Sequence, residues 1–348
     1  MRFKSIRLLI SVLILIILLP HCTGNEVTRR ESNDIISTVV DSKEFLEPIQ
    51  LPTEIPHVSK NDVSSTLKKD PEIHLSSNKE LSYNPVTIYD RYGEPIMFKS
   101  PPERIVMFDA AAVEILFAIG QGERIIATHE YVTYPPESIS IAKVGDAFNM
   151  NIEAIIGLNP DLVYIFYPTF KKRLEDAGLK VLLIETLDND LNQMSDHYLM
   201  WGDITGSIDT ATKLSHNTTN RIKHIETILA PYESGPSVFQ DIGGLWSPGN
   251  NTLIGSVFKL LKLDNISKSV DGYSQINPET ILEKNPAYIF TETPGIFTQS
   301  SSFENVLAVR NNNIFTLNSE YLSISGPRFI LGIEELAQII YPGLIVVE

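Results

Sequence analysis

Cysteine is almost missing from this chain: Cys22 is the only one among 348 residues. No intramolecular disulfide and no cysteine-based zinc or iron–sulfur site can therefore form. Histidine is sparse and scattered. His21, His57 and His74 precede the body, while His129, His197, His216 and His224 show no ligand spacing, so no metal site is expected. His216 and His224 fall at solvent positions of a helical pattern. Basic residues are in deficit, with 28 Lys and Arg against 43 Asp and Glu and a net charge of -15, which excludes a nucleic-acid ligand. There is no G-x-S-x-G, no P-loop and no C-x-x-C, and His129-Glu130 lacks a histidine three residues on, so the chain is not expected to be an enzyme. Nor is there an apolar run of the about 20 residues that span a bilayer. The longest, residues 8–19, is stopped by Pro20 and His21.

What is present begins with that run. Arg2, Lys4 and Arg7 ahead of it give the order of charge then apolar stretch of an export signal, over residues 1–22. Cys22 follows directly and resembles the cysteine of a lipoprotein signal, which becomes a lipid anchor. His21 departs from the small residue of that pattern, so an ordinary signal peptide and an uncleaved anchor stay open. Residues 23–85 are rich in Ser, Asn, Asp, Glu and Lys with isolated hydrophobics. Such a stretch buries too little to offset its ordering entropy and is expected to be a flexible polar tether. An extracytoplasmic body tethered to the cell membrane follows.

The body alternates strand and helix signals. Strands are expected at RIVMF, RIIAT, DLVYIF, KVLLIE, SVFQDI, AYIFTE and NIFTL, and helices at residues 112–119 and 152–158. That alternation predicts an α/β fold with parallel sheet and covering helices. Residues 144–166, VGDAFNMNIEAIIGLNPDLVYIF, recur as residues 270–290, VDGYSQINPETILEKNPAYIF, with the Asn-Pro pairs 126 positions apart. Asn151 and Asn277 suit helix N-caps, and Asn159-Pro160 and Asn285-Pro286 end each helix. Two halves on one plan are implied. Between them Ile208, Ala211, Leu214, Thr218, Ile222, Ile225 and Leu229 recur at spacings of three and four, which predicts one amphipathic helix of about six turns. The expected parts are an N-terminal lobe at 86–206, a connecting helix at 207–231 and a C-terminal lobe at 232–348.

From residue 86 to the end, DRYGEPIMFKSPPERIV, EILFAIGQGERIIAT, MNIEAIIGLNPDLVYIF, LMWGDITG, INPETILEKNPAYIF and SGPRFILGIEEL together resemble the class III periplasmic binding proteins that serve iron-siderophore, haem and cobalamin importers. The resemblance implies two Rossmann-like lobes joined by a single long helix, with ligand in the cleft between them. It implies as partners an ABC permease, its ATPase and a chelate such as a ferric siderophore or cobalamin. The protein is expected to act as a monomer with no resident cofactor, the ligand itself carrying iron or cobalt.

In relatives one acidic residue per lobe pairs with arginines of the permease, and motif matching puts these at Glu153 and Glu279. A carboxylate in the first turn of a helix is also favoured by the helix dipole alone. Open parallel sheets bind ligands beyond their carboxyl edges, so the loops there are where ligand contacts are expected. Tyr131 and Tyr134 follow the RIIAT strand, Phe148 and Tyr273 precede the repeat helices, Phe166 and Tyr167 close DLVYIF, and Trp246 lies in GGLWSPG. Such aromatics could grip a broad chelate or serve as packing. By resemblance Glu320, Tyr321, Ser323 and Arg328 of SEYLSISGPR join them, although Arg328 also suits a helix start that pairs locally. With arginines otherwise at 124, 173 and 310, a ligand of low net charge is favoured over an anionic catecholate. The same fold could instead serve a membrane-tethered sensor, which would have no need of Glu153 and Glu279.

Overall fold

The computed structural model describes residues 83–146, 148–184, 190–317 and 319–344. Cys22, the export signal and the tether up to residue 82 lie outside the described residues. A hairpin opens the body: β1 (Val86–Tyr89) pairs antiparallel with β2 (Pro95–Phe98). Asp90 shapes its turn by accepting the N–H groups of Tyr92 and Glu94 at 2.8 and 2.9 Å.

Then β3 (Ile105–Met107), α1 (Ala110–Ala118), β4 (Ile125–Thr128), β5 (Ala142–Lys143), α2 (Ile152–Gly157), β6 (Leu162–Ile165), α3 (Lys171–Asp176), β7 (Val181–Leu183) and α4 (Gln193–Thr205) build the first lobe. Its five strands run parallel in the order β5-β4-β3-β6-β7. The connecting helix α5 occupies Ile208–Leu229, the range that the apolar spacing predicts. Ala211, Thr218, Ile222, Ile225 and Leu229 are buried along one stripe, while His216 and His224 face solvent.

The second lobe repeats the plan with β8 (Ser237–Asp241), β9 (Trp246–Pro248), α6 (Leu253–Leu260), β10 (Asp264–Asn265), β11 (Tyr273–Gln275), α7 (Pro278–Lys284), β12 (Tyr288–Thr291), α8 (Gly295–Thr298), α9 (Leu307–Arg310), β13 (Ile314–Phe315), α10 (Ser319–Ser323) and α11 (Phe329–Ile340). Its parallel strands lie in the order β10-β8-β12-β13, so β12 takes the place that β6 holds in the first sheet. Beside them β9 and β11 form an antiparallel pair.

Alternation along the central strands sorts the core. Ile105, Met107, Leu162, Tyr164, Val238 and Phe290 face one hydrophobic cluster, which also takes in α1, α4, α5, α6 and α11 and so runs through both lobes. On the other faces, Val106, Phe108, Val163 and Ile165 join a cluster of the first lobe alone, and Phe239 and Ile289 one of the second. These residues belong to a single compact unit.

Candidate ligand-binding and docking site

The two repeat units fold alike. Asn151 caps α2 by accepting the N–H of Ala154 at 3.0 Å, and Asn277 caps α7 by accepting that of Glu279 at 3.1 Å. Both helices end on an asparagine in the left-handed region, Asn159 at φ 49° and Asn285 at φ 46°. Arg104 then covers the last carbonyls of the first unit, donating to Leu158 and Asn159 at 2.7 and 3.1 Å. In the second, the Asn285 side chain accepts the N–H of Leu307 at 2.7 Å. Ile155 and Ile281, at equivalent positions, are fully buried. Glu153 and Glu279 therefore stand in matching first turns, and both are exposed.

Around the carboxyl edge of the first sheet, polar groups hold the aromatic loops in place. Asp146 accepts the N–H groups of Phe148 and Asn149, each at 2.7 Å. Burial works against its ionised form, but these donors outweigh it and hold the carboxyl below its ordinary range. Phe148 is thereby set against Tyr167, with ring centroids 5.8 Å apart. Phe166, at the end of β6, is half-buried. His129, just past β4, accepts the N–H of Tyr131 on Nδ1 at 3.2 Å. Burial first, and then Lys143, push its pKa down to about 4, so the ring is neutral at physiological pH. Lys143 is itself held by the Thr128 hydroxyl and the Val132 and Ser138 carbonyls, at 2.8, 2.9 and 3.3 Å. Tyr131 is well exposed.

In the second lobe, the buried Asp241 at the end of β8 accepts the N–H groups of Gly243 and Leu245 and the hydroxyl of Thr291. That carboxylate organises a turn with Gly243, Gly244 and Leu245 all at positive φ, from which Trp246 departs. Trp246 opposes Gln275 in the β9–β11 pair, and Tyr273 opposes Pro248, so the two aromatics share one face of the ribbon. Both are half-buried. Among the described residues no ring contact joins them to an aromatic of the first lobe.

Arg328 links the lobes. It caps α11 and reaches across to α1, where Glu114 accepts from its Nε and Nη2 at 3.1 and 2.7 Å. Its Nη1 donates to Glu320 at 2.9 Å, and its guanidinium lies 3.5 Å above the Tyr134 ring and 5.8 Å from that of Tyr321. The expectation of local pairing for Arg328 thus covers half of what it does, since Glu114 lies 214 positions away in sequence. Arg328 is thus engaged by two carboxylates and two rings. Ser323, at the end of α10, is exposed.

Sequence reasoning overlooked Glu114, yet a signal was there: it is the lone charge in the apolar helix AAAVEILFA. Such a group must find a partner once buried. Burial raises its pKa against the pull of Arg328. Asp109, which caps α1, was overlooked too; burial raises its pKa to about 6 despite N–H donors from Ala111 and Ala112. A surface basin of about 490 Å³ lined by Glu233, Lys259, Lys262, Asp264 and Lys268 lies at the amino ends of β8 and β10, away from these loops. Among the described residues there is no cluster of His, Cys, Asp and Glu suited to a metal, and no helix long and apolar enough to cross a membrane.

With two like lobes, parallel sheets and a single joining helix, the fold is that of a two-lobed binding protein. The chain belongs to the periplasmic binding protein family, whose model matches residues 105–321. It is 30% identical over 278 residues to an uncharacterized ABC transporter substrate-binding lipoprotein, YvrC of Bacillus subtilis, covering 74% of this chain and 86% of that one. A cobalamin-binding protein of Halobacterium salinarum is 24% identical over 278 residues, 75% of each chain. Among solved structures, the periplasmic vitamin B12 binding protein BtuF of Vibrio cholerae superposes with a TM-score of 0.62 at 24% identity, covering 69% of this chain and 97% of that one. These relatives are named for binding and transport, not for catalysis.

Proposed function

We propose that this chain is the extracytoplasmic substrate-binding component of an ABC importer. It captures a bulky metal chelate, a ferric siderophore or cobalamin, between its lobes and delivers it to a permease and ATPase while tethered to the membrane through Cys22. The reading is carried by one observation: two exposed glutamates, Glu153 and Glu279, at equivalent positions of the two lobes in a chain of this family. In this reading the ligand contacts are Tyr131, Tyr134, Phe148, Phe166, Tyr167, Trp246, Tyr273, Tyr321 and Ser323, whose broad apolar faces and few polar groups suit a flat ligand. Because Arg328 is engaged by Glu114 and Glu320, the ligand is one of low net charge, cobalamin or a ferric hydroxamate before a ferric catecholate.

Replacing both glutamates by alanine tests the assignment. Ligand affinity measured by calorimetry is expected to hold while uptake and complex formation collapse, since truncating a desolvated interfacial charge costs about 2–5 kcal/mol. Helix-dipole support alone predicts only a modest drop in melting temperature and normal uptake. Normal uptake by the double variant would rule out the docking role and favour a tethered sensor of the same fold. An absorbance spectrum of protein purified from its own host distinguishes corrin from ferric-chelate bands.

A further inference from the structure

Each of the two glutamates has an exposed aliphatic companion. Ile156 is 45% exposed and Leu282 is 41% exposed, although both sit on helices whose neighbouring residue, Ile155 or Ile281, is fully buried. Ile156 follows Glu153 by three positions and Leu282 follows Glu279 by three, and the two pairs are 126 positions apart, the offset of the repeat. Residues three apart on a helix are neighbours on one face, with Cβ atoms about 5–6 Å apart. Both lobes therefore present the same element: a carboxylate at the first turn and a branched aliphatic side chain one turn along, side by side.

Single surface hydrophobics are common and need no explanation. A matched pair is different, because the helices differ at most of their other positions: IEAIIG on one side and PETILE on the other keep only the glutamate, the buried isoleucine and an outward aliphatic residue. The isoleucine serves the core and the outward residues do not. Resting on the docking role of Glu153 and Glu279, we propose that Ile156 and Leu282 are the apolar halves of two like docking points for the permease. The partner surface that fits them holds two equivalent sites, each with a cationic side chain beside a shallow apolar pocket, as two copies of one subunit would supply. An apolar rim next to each ion pair also keeps water from it, which strengthens the pair.

The test uses the full chain and its own permease–ATPase complex in nanodiscs. Ile156→Gln and Leu282→Gln keep helix propensity and bulk while removing the apolar surface. Each is expected to weaken the complex about tenfold, equivalent to about 1.4 kcal/mol, and the double variant about a hundredfold, with the melting temperature unchanged. Ile156→Leu with Leu282→Met should bind as the natural chain does, which separates lost apolar contact from disturbed folding. At about 1 M salt, where the Debye length is about 3 Å, the natural chain should keep a residual affinity that the double glutamine variant lacks. Wild-type affinity in the double glutamine variant overturns the proposal; if alanine at Glu153 and Glu279 still abolishes the complex, the docking reading survives that failure. If neither pair of substitutions alters binding, or if the natural chain forms no complex, both fall.

Discussion

At the scale of single residues, the carboxylates flanking α1 show how buried charge is handled here. Glu114 is paired with Arg328, whereas Asp109 has only backbone N–H donors to set against its burial. Its pKa of about 6 lies above the ordinary 3.8, so the folded chain holds this proton more tightly than the unfolded one. The stability tied to Asp109 is therefore fully present below about pH 4 and is lost as the pH rises towards 6. Asp109→Asn keeps an N-cap acceptor and removes the charge. It is expected to raise stability at pH 7 to 8 by about 1–3 kcal/mol, a gain that fades towards pH 4. Denaturation of both proteins at several pH values checks this, and an equal difference at every pH would contradict it. Asp109 could not be singled out in the sequence, because a capping aspartate is ordinary until its burial is known, whereas Glu114 was readable as the one charge in an apolar helix. The loops that carry Tyr131, Tyr134, Phe166 and Tyr167 were easier to locate in the fold, since they follow strands whose ends the apolar runs already marked.

Among the elements, those with a strong period or a repeated motif were readable beforehand. The α5 stripe defined Ile208–Leu229, and the repeat located α2, α7, β6 and β12. Shorter or less regular pieces were not: α4 mixes buried Met194, Tyr198, Trp201 and Ile204 with charged positions, and β9 and β11 are three residues each. The ends of the repeat helices were placed correctly for a reason that is only partly proline. Asparagine itself turns the chain by adopting φ near +50° at 159 and 285. A branched side chain pays a steric penalty there of roughly 1–2 kcal/mol. Asn159→Val and Asn285→Val should each lower stability by about that amount. Asn159→Gly should be near neutral, because the carbonyl that Arg104 uses is retained, whereas Asn285→Gly also loses the acceptor for Leu307 N–H, worth about 1 kcal/mol. Thermal melts of the four variants give the order, and a valine variant as stable as the natural chain would show that φ does not control these turns.

For the whole molecule the question is how far the lobes move. Three features hold them in one arrangement: α5 is a single continuous helix of 22 residues, one hydrophobic cluster includes both lobes, and ion pairs tie α11 to the connecting helix through Glu334 and Arg221 and to α1 of the first lobe through Arg328 and Glu114. A wide hinge closure needs a few loop residues that absorb large backbone changes. Here such a motion would have to break packed side chains and leave Glu114 buried without its partner. Closure on ligand binding is therefore expected to be small. A chain beginning at Leu81 keeps all three hydrophobic clusters and leaves out Cys22, so cysteines introduced at Lys172 and Glu283, one exposed position per lobe, become its only thiols. Pulsed electron resonance between spin labels there, with and without a chelate that calorimetry shows to bind, should move the mean distance by less than about 3 Å. Arg328→Ala should broaden the ligand-free distribution by removing one tie between the lobes. A shift of about 10 Å in the natural sequence would mean that α5 bends or that the shared cluster divides, and the single-helix connection would no longer explain how this protein holds its ligand.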